Sequence, residues 1–308
     1  MSKHISIVFP GQGSQSIGML DHFSHEDILS SGFDKNIFNF DLLDIISSDE
    51  EKLNRSHFTQ PALVLTSHLY FRKLTKLLST KLDLLAGHSL GEYSALLAAG
   101  SIELNAALQL VYKRGLFMSE APSGSMLAVM GLDKSVIDRI CNDINSEGNI
   151  FVAPANINTP NQIVIGGDHK AIDIASIKLK EMGAKRCIKL KVSTASHCLL
   201  MKESALKLQK ELENIDIIKP TIGVVQNVDA RLAQNPELIK NNLISQLTSP
   251  VQWVDTMKQV VSNNGILIEC GPGKVLSGLA KQNGIENILT MSSQNFEEDL
   301  RNILWRIF

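Results

Sequence analysis

The chain lacks most of the features that would commit it to a specialised class of protein. Only four of its 308 residues are cysteine. Cys141, Cys187, Cys198 and Cys270 form no C-x-x-C pair and no ligand-like spacing, so reduced structural thiols and a cytosolic compartment are the expectation. Neither sign of charge is in excess. A formal net charge of -2 argues against a general nucleic-acid binder, although a local basic patch can still meet an acidic partner. No apolar run approaches membrane length, and Ile5–Phe9, close behind Met1-Ser-Lys-His, is too short for a signal peptide, so no membrane association is expected. Internal repeats, low-complexity segments and long charge blocks are absent as well. What remains is an ordinary globular composition, 44% hydrophobic and 20% charged, enough for one large or two moderate domains with a substantial core.

Against that plain background one stretch stands out, Leu82 to Gly100, where a short apolar run meets Gly87-His88-Ser89-Leu90-Gly91. In a Gly-x-Ser-x-Gly elbow the serine occupies a strained strand-to-helix turn, and glycines on either side let neighbouring backbone approach without a Cβ clash. Leu82, Leu84, Leu85 and Ala86 read as a buried parallel strand, and Ala95 to Ala99 as helix stopped by Gly100. Glu92, in the first helical turn, suits the macrodipole. Ser89 is the leading candidate nucleophile; a serine that merely caps a helix is the equal alternative for a bare five-residue match.

In chain order, a strand at Ile5–Phe9 empties into the glycine-rich loop Pro10-Gly-Gln-Gly-Ser-Gln15. Gly18 comes too late to complete a dinucleotide fingerprint, so a second reading has Gly11 and Gly13 bring the loop close to a ligand while Gln12 offers a donor. After the stretch His22–Arg55, Thr59-Gln-Pro reads as a helix start, with Thr59 or Gln60 as cap, and apolar residues continue through Leu78. Glu103–Glu120 is amphipathic, and from periodicity alone its Arg114 is a solvated or snorkelling side chain.

The rhythm then changes. Met126–Leu132 (strand), Lys134–Asn145 (helix), Ile150–Ala155 and Ile163–Gly167 (strands), Lys170–Met182 (helix) and Ala184–Val192 (strand) give the β-α-β-β-α-β order of a ferredoxin-like unit. The expected architecture is α/β: a hydrolase-like parallel-sheet large domain, residues 1–124 and 193–308, with an inserted ferredoxin-like small domain, residues 125–192. Lys185, Arg186, Lys189 and Lys191 gather on the last strand of the insert, either as a solvated face or as an attraction for an acidic carrier or a phosphorylated cofactor. Beyond Ser193, a helix to roughly Glu213, a strand at Ile222–Val225, helices at Pro236–Leu247 and Val251–Val261, a strand at Ile266–Glu269, a Gly271-Pro-Gly273 turn into a helix and a further strand at Asn287–Met291 complete the alternation. Gly271-Pro-Gly-Lys274 lacks the spacing of a phosphate loop and reads as a plain turn.

A nucleophilic serine needs a base, and eight histidines are available. His88 adjoins Ser89, but strand alternation turns its side chain away. His197 lies where the chain re-enters the large domain, a natural place for a cleft residue, and the order nucleophile then histidine agrees with hydrolase-like folds.

Pro10-Gly-Gln-Gly-Ser-Gln, Thr59-Gln-Pro, Gly-His-Ser89-Leu-Gly-Glu, Arg114-Gly with Met118, Asn156-x-Asn158, Ser196-His197 and Ser249-Pro-Val-Gln-Trp253 resemble, in this order, the malonyl-CoA:acyl-carrier-protein transacylases and related acyltransferase domains of fatty-acid and polyketide synthases. The resemblance covers essentially the whole chain. It implies that Ser89 attacks a malonyl thioester, that His197 takes and returns the proton, and that the main-chain N–H groups of Leu90 and Gln12 stabilise the oxyanion. It also implies that a main-chain carbonyl at Gln246 orients the histidine, that Arg114 binds the free carboxylate of malonate, and that Gln60, His88, Met118 and Asn158 line or support the pocket. No metal or redox cofactor is implied; malonyl-CoA is a substrate, and an acyl carrier protein is the partner. A monomer is compatible with the sequence. Ser196, the residue before the histidine, is shared by stand-alone malonyl transacylases and methylmalonyl-selective domains, so a branched extender unit is not excluded. A serine hydrolase using the same pair and an idle carrier-binding module are the competing readings.

Overall fold

The computed structural model describes residues 4–78, 80–260 and 265–305. Nine strands are described: β1 (Ile5–Phe9), β2 (Leu84–Gly87), β3 (Ser125–Met130), β4 (Val152–Thr159), β5 (Gln162–Gly167), β6 (Arg186–Lys189), β7 (Gly223–Val225), β8 (Ile266–Glu269) and β9 (Ile288–Thr290). They form two sheets.

The larger sheet has the order β7-β2-β1-β8-β9, and every pair in it is parallel. Central parallel strands are covered on both faces and read as continuous apolar runs. In β1, Ile5, Ile7 and Phe9 enter one core with Leu63, Leu69, Leu97 and Leu108, whereas Val8 turns the other way into a second core with Trp253, Met257 and Leu279. The helices Ser56–Leu77, Gly91–Ala98 and Leu104–Ser119 supply the first face. The helices Trp253–Val260 and Val275–Gln282 supply the second.

The smaller sheet is antiparallel, in the order β4-β5-β3-β6. Counted within the unit this is second-third-first-fourth, the ferredoxin-like arrangement. Helices Lys134–Ser146 and His169–Glu181 lay Ile137, Ile140, Ile144, Ile172 and Leu179 over one face. The opposite face, with Met126, Ala128 and Val164, packs against Ala195 and Cys198 of the departing chain. Entry and exit lie side by side, through an antiparallel bridge between Ser123 and Thr194. A second junction joins the sheets' surroundings: Ile157 N–H donates to Val251 O at 2.9 Å, and Val251 N–H to Ala155 O at 2.9 Å.

Several boundaries differ from expectation for local reasons. Thr59 and Gln60 do not cap their helix, which begins at Ser56; Thr59 lies inside it with its hydroxyl on the carbonyls of Leu53 and Arg55. β4 runs to Thr159 rather than Ala155, because Asn156 and Asn158 are buried polar residues that break the apolar alternation on which the reading rests. The helix expected from Val251 starts at Trp253, Val251 being engaged in the bridge to Asn156, and its expected last residue, Val261, lies outside the described residues. The short helices at His25–Leu29, Leu42–Ser48 and Glu50–Leu53, held by Ser24, Asp41 and Asp49 caps, and the helix Phe296–Trp305 were not anticipated. Among the described residues no helix is long and apolar enough to cross a membrane.

Candidate active site

β2 ends at Gly87 and the next helix begins at Gly91, so the chain reverses through His88, Ser89 and Leu90. Ser89 has φ +53, a region that costs a side-chain-bearing residue on the order of 1–3 kcal/mol unless its surroundings impose it. The glycines impose it. A Cβ on Gly87 would lie 1.9 Å from the carbonyl of Gly91, and one on Gly91 would lie 2.1 Å from the carbonyl oxygen of Phe9. The glycine-rich loop after β1 is pressed against the same turn, since a Cβ on Gly11 would lie 2.5 Å from His88 O. Ser89 therefore stands above the sheet, with its hydroxyl free of helix capping.

That hydroxyl meets two side chains. His197 Nε2 is 2.8 Å from Ser89 Oγ, and its Nδ1 is 2.7 Å from the main-chain oxygen of Gln246. A carbonyl only accepts, so Nδ1 carries the proton and Nε2 presents its lone pair to the serine hydroxyl. His197 has φ +59 and is 2% exposed. Burial, and then the Arg114 charge, hold its pKa down to about 3, so it is a neutral acceptor at physiological pH.

Arg114 is the second partner, with NH2 at 3.3 Å from Ser89 Oγ. It is not a solvated arginine: it is 1% exposed, because its helix turns that face toward the elbow and Tyr93, whose ring lies 5.4 Å from the guanidinium carbon. NH1 donates to Gln60 Oε1 at 2.9 Å and NH2 to Gln246 Oε1 at 3.0 Å. Among the described residues no carboxylate forms an ion pair with it, and Nε has no partner. A buried guanidinium hydrogen-bonded only by neutral groups has the charge and the planar donors to take an anion.

The remaining expected residues fall into two groups. Gln60 joins Arg114 to Met118 through its amide, which donates to Met118 Sδ at 3.5 Å. His88 points away from Ser89, bonds Asn158 Oδ1 at 2.9 Å and packs its ring against Trp253, so these two brace the elbow from behind. Among the described residues, neither the Leu90 nor the Gln12 main-chain N–H makes a hydrogen bond. The Gln12 side chain is turned away, onto Ser56 Oγ at 3.1 Å. No group of three or more His, Cys, Asp or Glu side chains among the described residues is placed to hold a metal ion.

Two further residues shape the site, Asn227, which had no signal in the sequence, and Glu92, whose only local signal was its place in the first helical turn. Asn227, just beyond β7, accepts from Ser89 N–H at 2.7 Å and donates to Gly87 O at 2.7 Å, clamping both ends of the turn. Glu92 lies in the first helical turn as expected and is fully buried; burial pushes its carboxyl up to about 7 against three amide donors. On the insert's last strand, Lys189 is engaged by Asp173 at 3.0 Å, while Lys185 and Lys191 fall outside the strand.

The acyl transferase domain family matches residues 7–294 of the chain. The malonyl CoA-acyl carrier protein transacylase of Haemophilus influenzae is 41% identical over 290 residues, which are 91% of this chain and 92% of that protein. The solved structure of the malonyl CoA-acyl carrier protein transacylase from Coxiella burnetii superposes with a TM-score of 0.91 at 36% identity, over 99% of this chain and 98% of that one. A malonyl-transacylase solved in complex with its type II polyketide acyl-carrier protein has a TM-score of 0.89 at 37% identity, over 97% and 99% of the two chains.

Proposed function

The chain belongs to the acyl transferase family, and from that premise we propose that it transfers a malonyl group from malonyl-CoA to the phosphopantetheine thiol of an acyl carrier protein through a malonyl ester on Ser89. The observation that carries the reading is the convergence of His197 Nε2 and Arg114 NH2 on one hydroxyl, at 2.8 and 3.3 Å. In a malonyl ester the carboxylate stands only two bonds beyond the acyl carbon. A cation that touches the nucleophile is thus at the right reach for that carboxylate and has nothing to bind on acetate.

The steps balance within these side chains. Ser89 Oγ attacks the thioester carbonyl as its proton passes to His197 Nε2, and the Gln246 carbonyl steadies the imidazolium through Nδ1. The oxyanion takes the N–H groups of Leu90 and Gln12; loss of one such donor costs roughly 100- to 1,000-fold in rate. Collapse breaks the C–S bond, and the CoA thiolate leaves with the proton from His197. The carrier's thiol then repeats the sequence in reverse, giving its proton to His197 and leaving as the malonyl thioester. No metal or redox cofactor enters these steps. This is the supply of extender units for fatty-acid synthesis, in a cytoplasmic enzyme.

Intact-protein mass tests it. Mixing with malonyl-CoA should add one malonyl group, absent in Ser89→Ala, which moves to added carrier protein. An adduct that decays to free malonate whether or not carrier is present would make the protein a hydrolase, and no adduct at all would leave only a binding module.

A further inference from the structure

Beneath the serine lies a carboxylate that the transfer steps above do not use. Glu92 is fully buried, and among the described residues no cation forms an ion pair with it. Its three hydrogen bonds all come from neutral amides: Gln226 Nε2 at 3.2 Å on Oε1, and Asn227 N–H at 3.1 Å with Gln246 Nε2 at 2.7 Å on Oε2. A buried carboxylate without a cation is expensive, so what it fixes in place is the question.

Two of the three donors belong to the site. Asn227 clamps the elbow through Ser89 N–H and Gly87 O. Gln246 touches every working part: its main-chain oxygen takes His197 Nδ1–H, its Nε2 donates to Ser89 O at 3.0 Å, and its Oε1 accepts from Arg114 NH2. An amide has one donor end and one acceptor end. Ionised, the Glu92 carboxylate only accepts, so Nε2 of Gln246 must face it, and Oε1 must then face Arg114. Turned over, the amide would set oxygen against Glu92 and Ser89 O, and N–H against the guanidinium. The third donor is equally constrained, because Gln226 Oε1 already accepts from Asn242 Nδ2 at 3.0 Å.

We infer that Glu92 is a positioning residue for malonyl recognition: its carboxylate, relayed by the Gln246 amide, sets the orientation in which the Arg114 guanidinium meets the substrate carboxylate. The inference rests on the transacylase reading. It also explains why a carboxylate is needed. A glutamine at 92 has one acceptor oxygen where three fixed donors require two, so one N–H is left facing another and the polarity of the relay is no longer dictated.

The test compares Glu92→Gln with wild type in two reactions of Ser89, loading from malonyl-CoA and modification by a neutral sulfonyl fluoride, which has no carboxylate for Arg114. Malonyl loading should lose at least about tenfold more in kcat/KM than the neutral reaction loses in rate, the loss falling mainly on KM. Gln246→Met is the second arm. It keeps the side-chain volume and the main-chain carbonyl for His197 but deletes the relay, and it should give the same selective loss, with the double variant no worse than the single ones. Equal losses in both reactions, or none, in these variants would overturn the inference and leave Glu92 a structural residue; if Glu92→Gln does not fold, the Gln246→Met ratio decides. Wild type that fails to load malonate would instead overturn the transacylase reading, which keeps the two failures apart.

Discussion

Among the described residues, two serine–histidine pairs have the same separation but very different surroundings. Ser89 Oγ and His197 Nε2 are 2.8 Å apart; so are Ser123 Oγ and His169 Nε2, beside the crossing where the chain enters and leaves the smaller sheet. Both histidines have their other nitrogen held, His197 by the Gln246 carbonyl and His169 by Ser125 Oγ at 2.6 Å. The difference lies in what surrounds them. Ser89 and His197 both have positive φ, the Ser89 turn is hemmed in by packed backbone at Gly87 and Gly91, and the buried Arg114 stands against the Ser89 hydroxyl. Ser123 and His169 are exposed, and the serine hydroxyl also reaches Ser193 O, so their contacts tie two linkers together. Separation between two atoms is thus a weak criterion of reactivity; strain, dryness and a receptor for developing charge decide.

The comparison can be broken most sharply by deletion. Ser89→Ala should lower malonyl loading by at least about 10,000-fold in a carrier-transfer assay, since nothing else nearby can form the ester. Gly91→Ala should cost on the order of 3 kcal/mol in denaturant unfolding, because the new Cβ meets the backbone carbonyls of Phe9 and Pro10 rather than a side chain that could move aside, and the elbow should lose its geometry with it. Arg114→Ala should reduce malonyl transfer by about 100-fold or more and acetyl transfer far less; equal losses would remove its role as carboxylate receptor.

The effect of pH is smaller and has two signs. His197 stays neutral in the folded protein down to about 3, whereas in the unfolded chain it charges below its ordinary 6.5. Stability therefore falls as pH drops across that window. Glu92 does the reverse: the folded protein holds its proton up to about 7, the unfolded chain only to 4.5, so stability falls as pH rises from 4.5 to 7. Between 4.5 and 6.5 these two contributions oppose each other, whereas the lowered pKa values of His57, His68 and His88 add to that of His197, so the Glu92→Gln variant should lose stability more steeply than wild type as pH drops through this window. In kinetics, Ser89 modification by the neutral reagent should show no histidine limb near 6.5. Malonyl loading should fall about tenfold per unit below the Glu92 transition, and that limb should vanish in Glu92→Gln. Smallest of all, Ser123→Ala should change malonyl loading less than about twofold and stability by about 1 kcal/mol at most; a larger loss of loading would give the second pair a role in transfer.

The legibility of the site followed the range of its causes. Ser89 was readable because an elbow is local: five residues, two with a Cβ that cannot fit, between a strand and a helix. The ferredoxin-like order was readable because alternation and amphipathic periods persist across each element. Arg114 was misread by periodicity, which reports the helix face but not that Tyr93 and the elbow cover it. Asn227 carried no signal and Glu92 only that of a helix's first turn, for their part in the site depends on hydrogen bonds between positions more than a hundred residues apart.

What the sequence by itself determined was therefore the set of parts: a buried parallel sheet, an inserted antiparallel unit, a strained serine, and the motif order that resembles the transacylases. The resemblance also named His197, Gln246 and Arg114 as partners of Ser89, but only the folded arrangement shows how they meet. Which nitrogen of His197 faces Ser89, how the Gln246 amide is turned, and which carboxylate polarises it against Arg114 are questions of direction and burial. Neither is written in spacing along a chain, because both arise only when β2, β7 and the helices beyond them close around the same turn.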